Sequence, residues 1–194
     1  MDNASIGFRA KTGRAIAIAL GGKRALPDFV GRWQVWLYDP AMPATGQPHH
    51  EVLDLSWPEA QKAVRPLETR IEQVADEMLA KLVRELESKG HRVGSIGVVG
   101  SPDRKLDKIG NSHIRAHAAE GILFRRVIEL AANAHDLKCR NFSDRDFDAA
   151  MAAELRRKPE EVKSVLTAIG QSAGKPWRAD ERAAAAAAWA MLDR

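Results

Sequence analysis

The stretch from residue 111 to residue 135, NSHIRAHAAEGILFRRVIELAANAH, predicts one long helix with a single buried face. At about 100° per residue, His113, His117 and Glu120 fall within about 60° of each other. The same side of the helix continues through apolar residues, namely Phe124, Val127, Ile128 and Ala131. The three polar side chains therefore stand at the mouth of a core-facing stripe, a position that favours a functional site.

His113 and His117 have the four-residue spacing of histidines in zinc-binding helices. The full HExxH signature is absent, because Ile114 follows His113. Together with Glu120, the two imidazoles form a candidate metal-binding set. The alternative is a partly buried polar patch that hydrogen-bonds to neighbouring loops.

A second candidate pair is His49-His50, which is followed by Glu51. It lies in a proline-bounded loop or at the start of a strand, where neighbouring side chains point apart. The sequence therefore favours the helical histidines over this pair as metal ligands.

Composition limits the class of protein. The chain has 194 residues, 45% of them hydrophobic, which fits one domain with a substantial core. The net charge of +4 favours anionic partners, DNA or RNA first among them. The single cysteine, Cys139, excludes an internal disulfide and indicates the reducing cytoplasm. The longest apolar runs are far shorter than the roughly 20 residues of a membrane span, so no membrane contact is expected.

The first half of the chain predicts a tail and three strands. Residues 1–13 have no apolar core and are expected to form a flexible tail, so the single domain is predicted over residues 14–194. Strands are predicted where β-favouring residues alternate between turn signals, at residues 15–20 (AIAIAL), 32–38 (RWQVWLY) and 50–55 (HEVLDL). Three successive strands of this kind indicate an antiparallel meander.

The second half alternates helices and strands. The predicted elements are a helix from Pro58 to Lys89, a strand at 92–99, the long helix, a strand at 137–142, a helix from Ser143 to about residue 157, a helix from Pro159 and a last helix from Ala179. The resulting order of elements, β-β-β-α-β-α-β-α with helical additions, predicts a mixed sheet covered by helices.

This order resembles the ribonuclease H fold and, within it, the RuvC-type Holliday junction resolvases. The segments that carry the resemblance are SIGVV, the helix at 111–135, LKCRNF, PEEVKSVLTAIG and RADERAAAAAAWAML. The resemblance implies an α/β fold with a mixed five-stranded sheet, made of a three-strand antiparallel meander plus two parallel strands and flanked by helices.

The resemblance also implies a site. Nucleases of this fold hold two Mg²⁺ or Mn²⁺ ions with carboxylates from the first strand, the end of the fourth strand and the start of the last helix. The first predicted strand, AIAIALGG, has no carboxylate. Asp103 follows the fourth strand and Asp180 begins the last helix, while Ala183 stands where a second helical acid is expected. The catalytic candidates are therefore Asp180 and Asp103, with Glu120 as a substitute, in a degenerate or rearranged metal site.

Candidate nucleic-acid contacts lie beside this predicted cleft. Arg104, Lys105 and Lys108 occupy the loop between the fourth strand and the long helix, where they are expected to contact phosphates. Trp33 and Trp36 are predicted on opposite faces of the second strand, one in the core. The other is suited to stacking on a base, and it is equally compatible with a homodimer contact.

Three functional interpretations remain open at this point. The first is a RuvC-like domain that binds or processes nucleic acid. The second is a non-catalytic member of the fold that serves as a protein-interaction or structural module. The third is a different metal-dependent hydrolase that uses His113, His117 and Glu120.

Overall fold

A five-stranded mixed sheet lies at the centre of the protein, which a computed structural model describes over residues 1–193. In chain order the strands are β1 (Asp2–Lys11), β2 (Arg14–Lys23), β3 (Leu26–Trp36), β4 (His91–Gly100) and β5 (Lys138–Ser143). Their spatial order is β3-β2-β1-β4-β5. The first three strands pair antiparallel, and β4 and β5 run parallel to β1. The predicted five-stranded mixed sheet, a three-strand antiparallel meander plus two parallel strands, is confirmed.

Helices cover both faces of the sheet. They are α1 (Trp57–Ser88), α2 (Ser112–Ala134), α3 (Phe147–Leu155), α4 (Pro159–Ala173) and α5 (Ala179–Met191). On one face, α1 and α2 enclose the larger hydrophobic core. On the other face, α5 lies directly on the strands, with α3 and α4 packed around it. None of these helices, nor any other within residues 1–193, is long and apolar enough to cross a membrane.

The first three strands differ from the prediction in position. Residues 2–11, expected to belong to a flexible tail, form the central strand β1. Residues 15–20 belong to the second strand, and the third begins at Leu26. Residues 50–55, predicted as a strand, form a short 3-10 turn at His50–Val52 followed by turns. This segment lies against the first turns of α1 and α2.

The sequence pattern does not predict β1, because small residues make up much of this strand. Ile6 and Phe8 face the core under α1 and α2, whereas Ser5 and Gly7 are buried on the opposite face. Burial on both faces removes the alternation of polar and apolar residues that identifies a half-buried strand.

The tripeptide Ser-Ile-Gly occurs in both central parallel strands and explains the alanine-rich last helix. Ser5 pairs with Ser95, and Gly7 pairs with Gly97. Because these side chains are small, the face of the sheet under α5 is low and leaves room for the helix backbone. The Ser5 hydroxyl donates a hydrogen bond to the Ala188 carbonyl at 2.6 Å. A Cβ at Gly97 would stand 2.7 Å from the carbonyl oxygen of Ala187. The run of six alanines therefore lets the helix backbone approach the sheet closely.

An ion-pair cluster attaches α3 to the sheet and makes a testable contribution to stability. The Glu154 carboxylate accepts two hydrogen bonds from the Arg140 guanidinium, at 2.9 Å each, and one from Arg24 at 3.2 Å. These hydrogen bonds, those from Arg140 above all, lower the pKa of Glu154 from 4.5 to about 2.

We expect Glu154→Gln to lower the free energy of unfolding at pH 7 by about 1–2 kcal/mol. A depressed carboxyl pKa stabilises the fold fully above its unfolded value, and the contribution is lost as the pH falls through the folded value. The difference from the wild type should therefore shrink between pH 4.5 and about pH 2. Urea unfolding at several pH values measures it, with the exposed Glu87→Gln as control. An equal loss at every pH would contradict the ion-pair explanation.

Candidate functional site

Two carboxylates and two cations meet where the parallel strands end. Arg9 Nη2 lies 3.2 Å from Asp144 Oδ2, and Arg9 Nε lies 3.6 Å from Asp180 Oδ1. Lys11 Nζ lies 3.2 Å from the same oxygen of Asp180. Arg9 and Lys11 come from the carboxyl end of β1, Asp144 follows β5, and Asp180 is in the first turn of α5. The edge therefore holds a balanced set of fixed charges.

The first strand contributes a cation at this edge where the resemblance implied an acid. The only carboxylate of β1 is Asp2, which lies at the strand's opposite end. The Arg9 side chain is only 15% exposed and contacts both Asp144 and Asp180. A divalent ion placed between these carboxylates would be repelled by the guanidinium and by the Lys11 ammonium.

The three predicted catalytic acids lie in three different settings. Asp180 pairs with Arg9 and Lys11. Asp103 is 81% exposed, and its Oδ1 accepts a hydrogen bond from Arg125 at 2.5 Å. Glu120 is fully buried beside a histidine. Among residues 1–193, these three acids share no ion-pair partner.

Arg125 fixes the start of the loop between β4 and α2. Although it is outside the apolar stripe of the helix, it is buried, and its side chain packs against Gly100. It donates hydrogen bonds to the Ser101 carbonyl at 3.0 Å and to the carboxylates of Asp103 and Glu129. The loop is thus anchored at its base, and Arg104, Lys105 and Lys108 beyond it are exposed.

A cluster of three histidines lies at the head of α2. Nitrogen atoms of His50, His113 and His117 all lie within 4.8 Å of one another. The predicted pair His113 and His117 is therefore joined by His50, which comes from a distant turn. Glu120 stands behind the cluster, with Oε1 2.7 Å from His50 Nδ1. Burial raises the pKa of Glu120, and the hydrogen bond with His50 opposes that rise.

His50 was missed as a partner because the contact spans 70 positions of the chain. The sequence signal was the His49-His50 pair, which the loop holds in two environments. His49 is buried against Trp57, with ring centroids 5.8 Å apart. Burial lowers the pKa of His49 to about 4, and the charge of the neighbouring His50 makes a smaller contribution. The two histidines therefore differ in surroundings, and only His50 joins the cluster.

An open groove of about 340 Å³ lies beside the hairpin between β1 and β2. Its lining residues include Thr12, Gly13, Trp36, Tyr38 and Glu51. Trp36 is 53% exposed and meets the Tyr38 ring edge-on, at 5.7 Å between centroids. Trp33 instead packs against the core, as predicted for one of the two tryptophans.

Strand register aligns a row of side chains with this groove. Lys11 pairs with Arg14 across β1 and β2, and Arg14 pairs with Trp36 across β2 and β3. Two cationic residues and an exposed aromatic residue therefore lie side by side at the end of the sheet that also carries Arg9, Asp144 and Asp180.

The chain was compared with known proteins at the levels of sequence and structure. No protein-family model matches it, and no curated protein does. A RuvC structure from Thermus thermophilus is similar, with 14% identity and a TM-score of 0.48 over 96% of this chain and 92% of that chain. A second similar structure, T. thermophilus RuvC in complex with a Holliday junction substrate, has 12% identity and a TM-score of 0.49 over 96% of this chain and 90% of that chain.

A member of the Ppx/GppA family from Aquifex aeolicus is a more distant likeness, with 10% identity and a TM-score of 0.37. It covers 80% of this chain and 40% of that chain. All three likenesses are at the level of the fold.

Proposed function

We propose that this protein binds the phosphate backbone of nucleic acid at the carboxyl edge of its sheet, without cutting it by the two-metal mechanism. The observation that carries the proposal is the pairing of Arg9 and Lys11 with Asp144 and Asp180. Protein carboxylates that hold Mg²⁺ must be free to offer their oxygen atoms. Here one oxygen of each carboxylate, Asp144 Oδ2 and Asp180 Oδ1, already lies beside a cation that belongs to the chain itself.

Phosphate binding rests on cations that flank this edge. Arg14 lies on β2 beside the paired Lys11, and Arg104, Lys105 and Lys108 extend from the anchored loop. Lysine and arginine side chains bind phosphates without reading the base sequence. Trp36 adds an exposed ring at the end of the row, which suits stacking on an unpaired base.

The loop cations give a direct test. We expect the double substitution Arg104→Glu with Lys105→Glu to raise the dissociation constant for DNA by roughly tenfold or more. Loss of two phosphate contacts should also reduce the slope of log K against log salt by about 2. Fluorescence anisotropy with labelled branched, single-stranded and RNA–DNA hybrid substrates, at several salt concentrations, measures both quantities.

The matched control is Lys163→Glu, because Lys163 is an exposed lysine on α4. One such change should leave binding close to that of the wild type. If Lys163→Glu weakens binding as much per charge as the loop variant does, the effect is one of net charge and the assigned surface is wrong. If the wild type binds none of the substrates at low salt, the nucleic-acid proposal fails and a protein-interaction role becomes the favoured alternative.

A further inference from the structure

Three imidazoles from two separate elements converge at the head of α2. His113 and His117 lie one turn apart in the first turns of α2, with their Nε2 atoms 3.1 Å apart. His50 reaches them from the 3-10 turn that precedes α1, with its ring centroid 5.0 Å from that of His113 and 4.5 Å from that of His117. The three rings therefore surround a common point.

Glu120 orients the ring of His50. Its Oε1 lies 2.7 Å from His50 Nδ1, and when Glu120 is ionised this nitrogen carries the proton and donates a hydrogen bond to the carboxylate. The opposite nitrogen, Nε2, is then left with its lone pair available. It is buried and has no hydrogen-bond partner among residues 1–193. A carboxylate behind a histidine, with the other nitrogen directed at the ion, is the usual arrangement around bound zinc.

The segment that carries His50 is held in place by contacts outside the cluster. Arg70 Nε donates to Asp39 Oδ2 at 2.7 Å, and the buried Thr45 hydroxyl donates to the Met42 carbonyl at 2.6 Å. On the other side, Asn111 Oδ1 accepts a hydrogen bond from Ile114 N at 2.9 Å and caps α2 just before His113. The loop that leads to His50 and the start of α2 are thus each fixed by contacts outside the cluster.

We propose that His50, His113 and His117 bind one Zn²⁺ ion, with Glu120 acting behind His50 rather than as a ligand. Imidazole donors favour zinc over Mg²⁺ and Ca²⁺, which prefer oxygen. Zn–N bonds of about 2.0–2.1 Å in a tetrahedral site bring donor atoms to roughly 3.3 Å from each other. The Nε2 atoms of His113 and His117, 3.1 Å apart, are already close to this spacing.

The site leaves one position for an exogenous ligand. His113 and His117 are exposed, whereas Glu120 and His50 close the inner side. Three protein ligands with an open fourth position are typical of zinc sites that bind water or an anionic oxygen. The bound ion would therefore face solvent at the head of α2.

Zinc binding is tested with the full chain, stripped of metal and titrated calorimetrically with Zn²⁺. We expect one ion per chain, and a tetrahedral visible spectrum when Co²⁺ replaces it. His117→Ala should weaken binding at least about a hundredfold by removing a ligand. His135→Ala is the matched control, because His135 lies at the far end of the same helix beside Asp76, and it should bind as the wild type does.

Two further variants separate the roles of His50 and Glu120. His50→Ala should weaken Zn²⁺ binding as strongly as His117→Ala, whereas Glu120→Gln should weaken it only by about tenfold. Circular dichroism confirms that each variant is folded before titration. The proposal is overturned if the wild type binds no Zn²⁺, if His117→Ala binds normally, or if Glu120→Gln abolishes binding while His50→Ala leaves it unchanged.

Discussion

Gly7→Ala is expected to destabilise the protein by about 3 kcal/mol or more, a substantial part of the roughly 5–15 kcal/mol that stabilises a typical domain. Gly7 lies in the middle of β1, directly under α5. The added methyl group would overlap the carbonyl oxygen of Ala184 and stand 2.5 Å from the backbone nitrogen of Ala188. Backbone atoms of a buried helix cannot yield as a flexible side chain does, so α5 must move away from the sheet.

Chemical denaturation of Gly7→Ala measures this effect, and Gly94→Ala is its matched control. Gly94 lies in the neighbouring parallel strand, and a Cβ there meets no atom within 4 Å. The control should change the free energy of unfolding by less than about 1 kcal/mol. Equal stability of the two variants would show that α5 does not approach the sheet as closely as described.

Arg9→Asp should remove the fixed cation between Asp144 and Asp180 and make stability depend on Mg²⁺. In EDTA we expect a loss of about 3–5 kcal/mol, because two partly buried carboxylates lose a shared partner and gain a third negative charge. Mg²⁺ at 100 times its dissociation constant should restore about 2.7 kcal/mol. Thermal unfolding with and without Mg²⁺ measures the change. The experiment uses Mg²⁺ and not Zn²⁺, because Mg²⁺ does not bind the imidazoles of the histidine cluster.

The control for this prediction is Arg9→Gln, which removes the cation without adding a carboxylate. It should be destabilised and gain less stability from Mg²⁺ than Arg9→Asp does, because only two carboxylates remain beside Lys11, whereas the wild type should be indifferent to Mg²⁺. A wild-type melting temperature that rises with Mg²⁺ as much as that of Arg9→Asp would mean that Asp144 and Asp180 already bind the ion. In that case the assignment of Arg9 and Lys11 as substitutes for metal would be wrong.

The sequence predicted the second half of the fold better than the first, and one tripeptide shows why. In β4, Ser-Ile-Gly is followed by Val98 and Val99, and the strand was predicted. In β1 the same tripeptide is followed by Phe8 and Arg9, and the strand was assigned to a tail. Small and charged residues in β1 reduce its hydrophobic signal. Ser5 and Gly7 are buried only because α5, far along the chain, covers them.

The candidate sites divide in the same way. The spacing of His113 and His117 on one helix was readable, because it depends only on local periodicity. His50 and Arg9 act through contacts across 70 and 135 or more positions, which no local pattern reveals. The position of Asp180 at the start of the last helix was predicted correctly, and its partners were not. The catalytic role of Asp180 and Asp103 stays a prediction from the sequence.

The most direct test of the account is an anisotropy titration of labelled branched DNA with the wild-type protein, run in parallel in EDTA and in Mg²⁺ or Mn²⁺, with the DNA analysed for length afterwards. We predict binding that weakens steeply with salt, curves that coincide with and without the ions, and DNA that remains full length. Metal-dependent cleavage that is lost in Asp180→Ala, or the absence of binding at low salt, would contradict it.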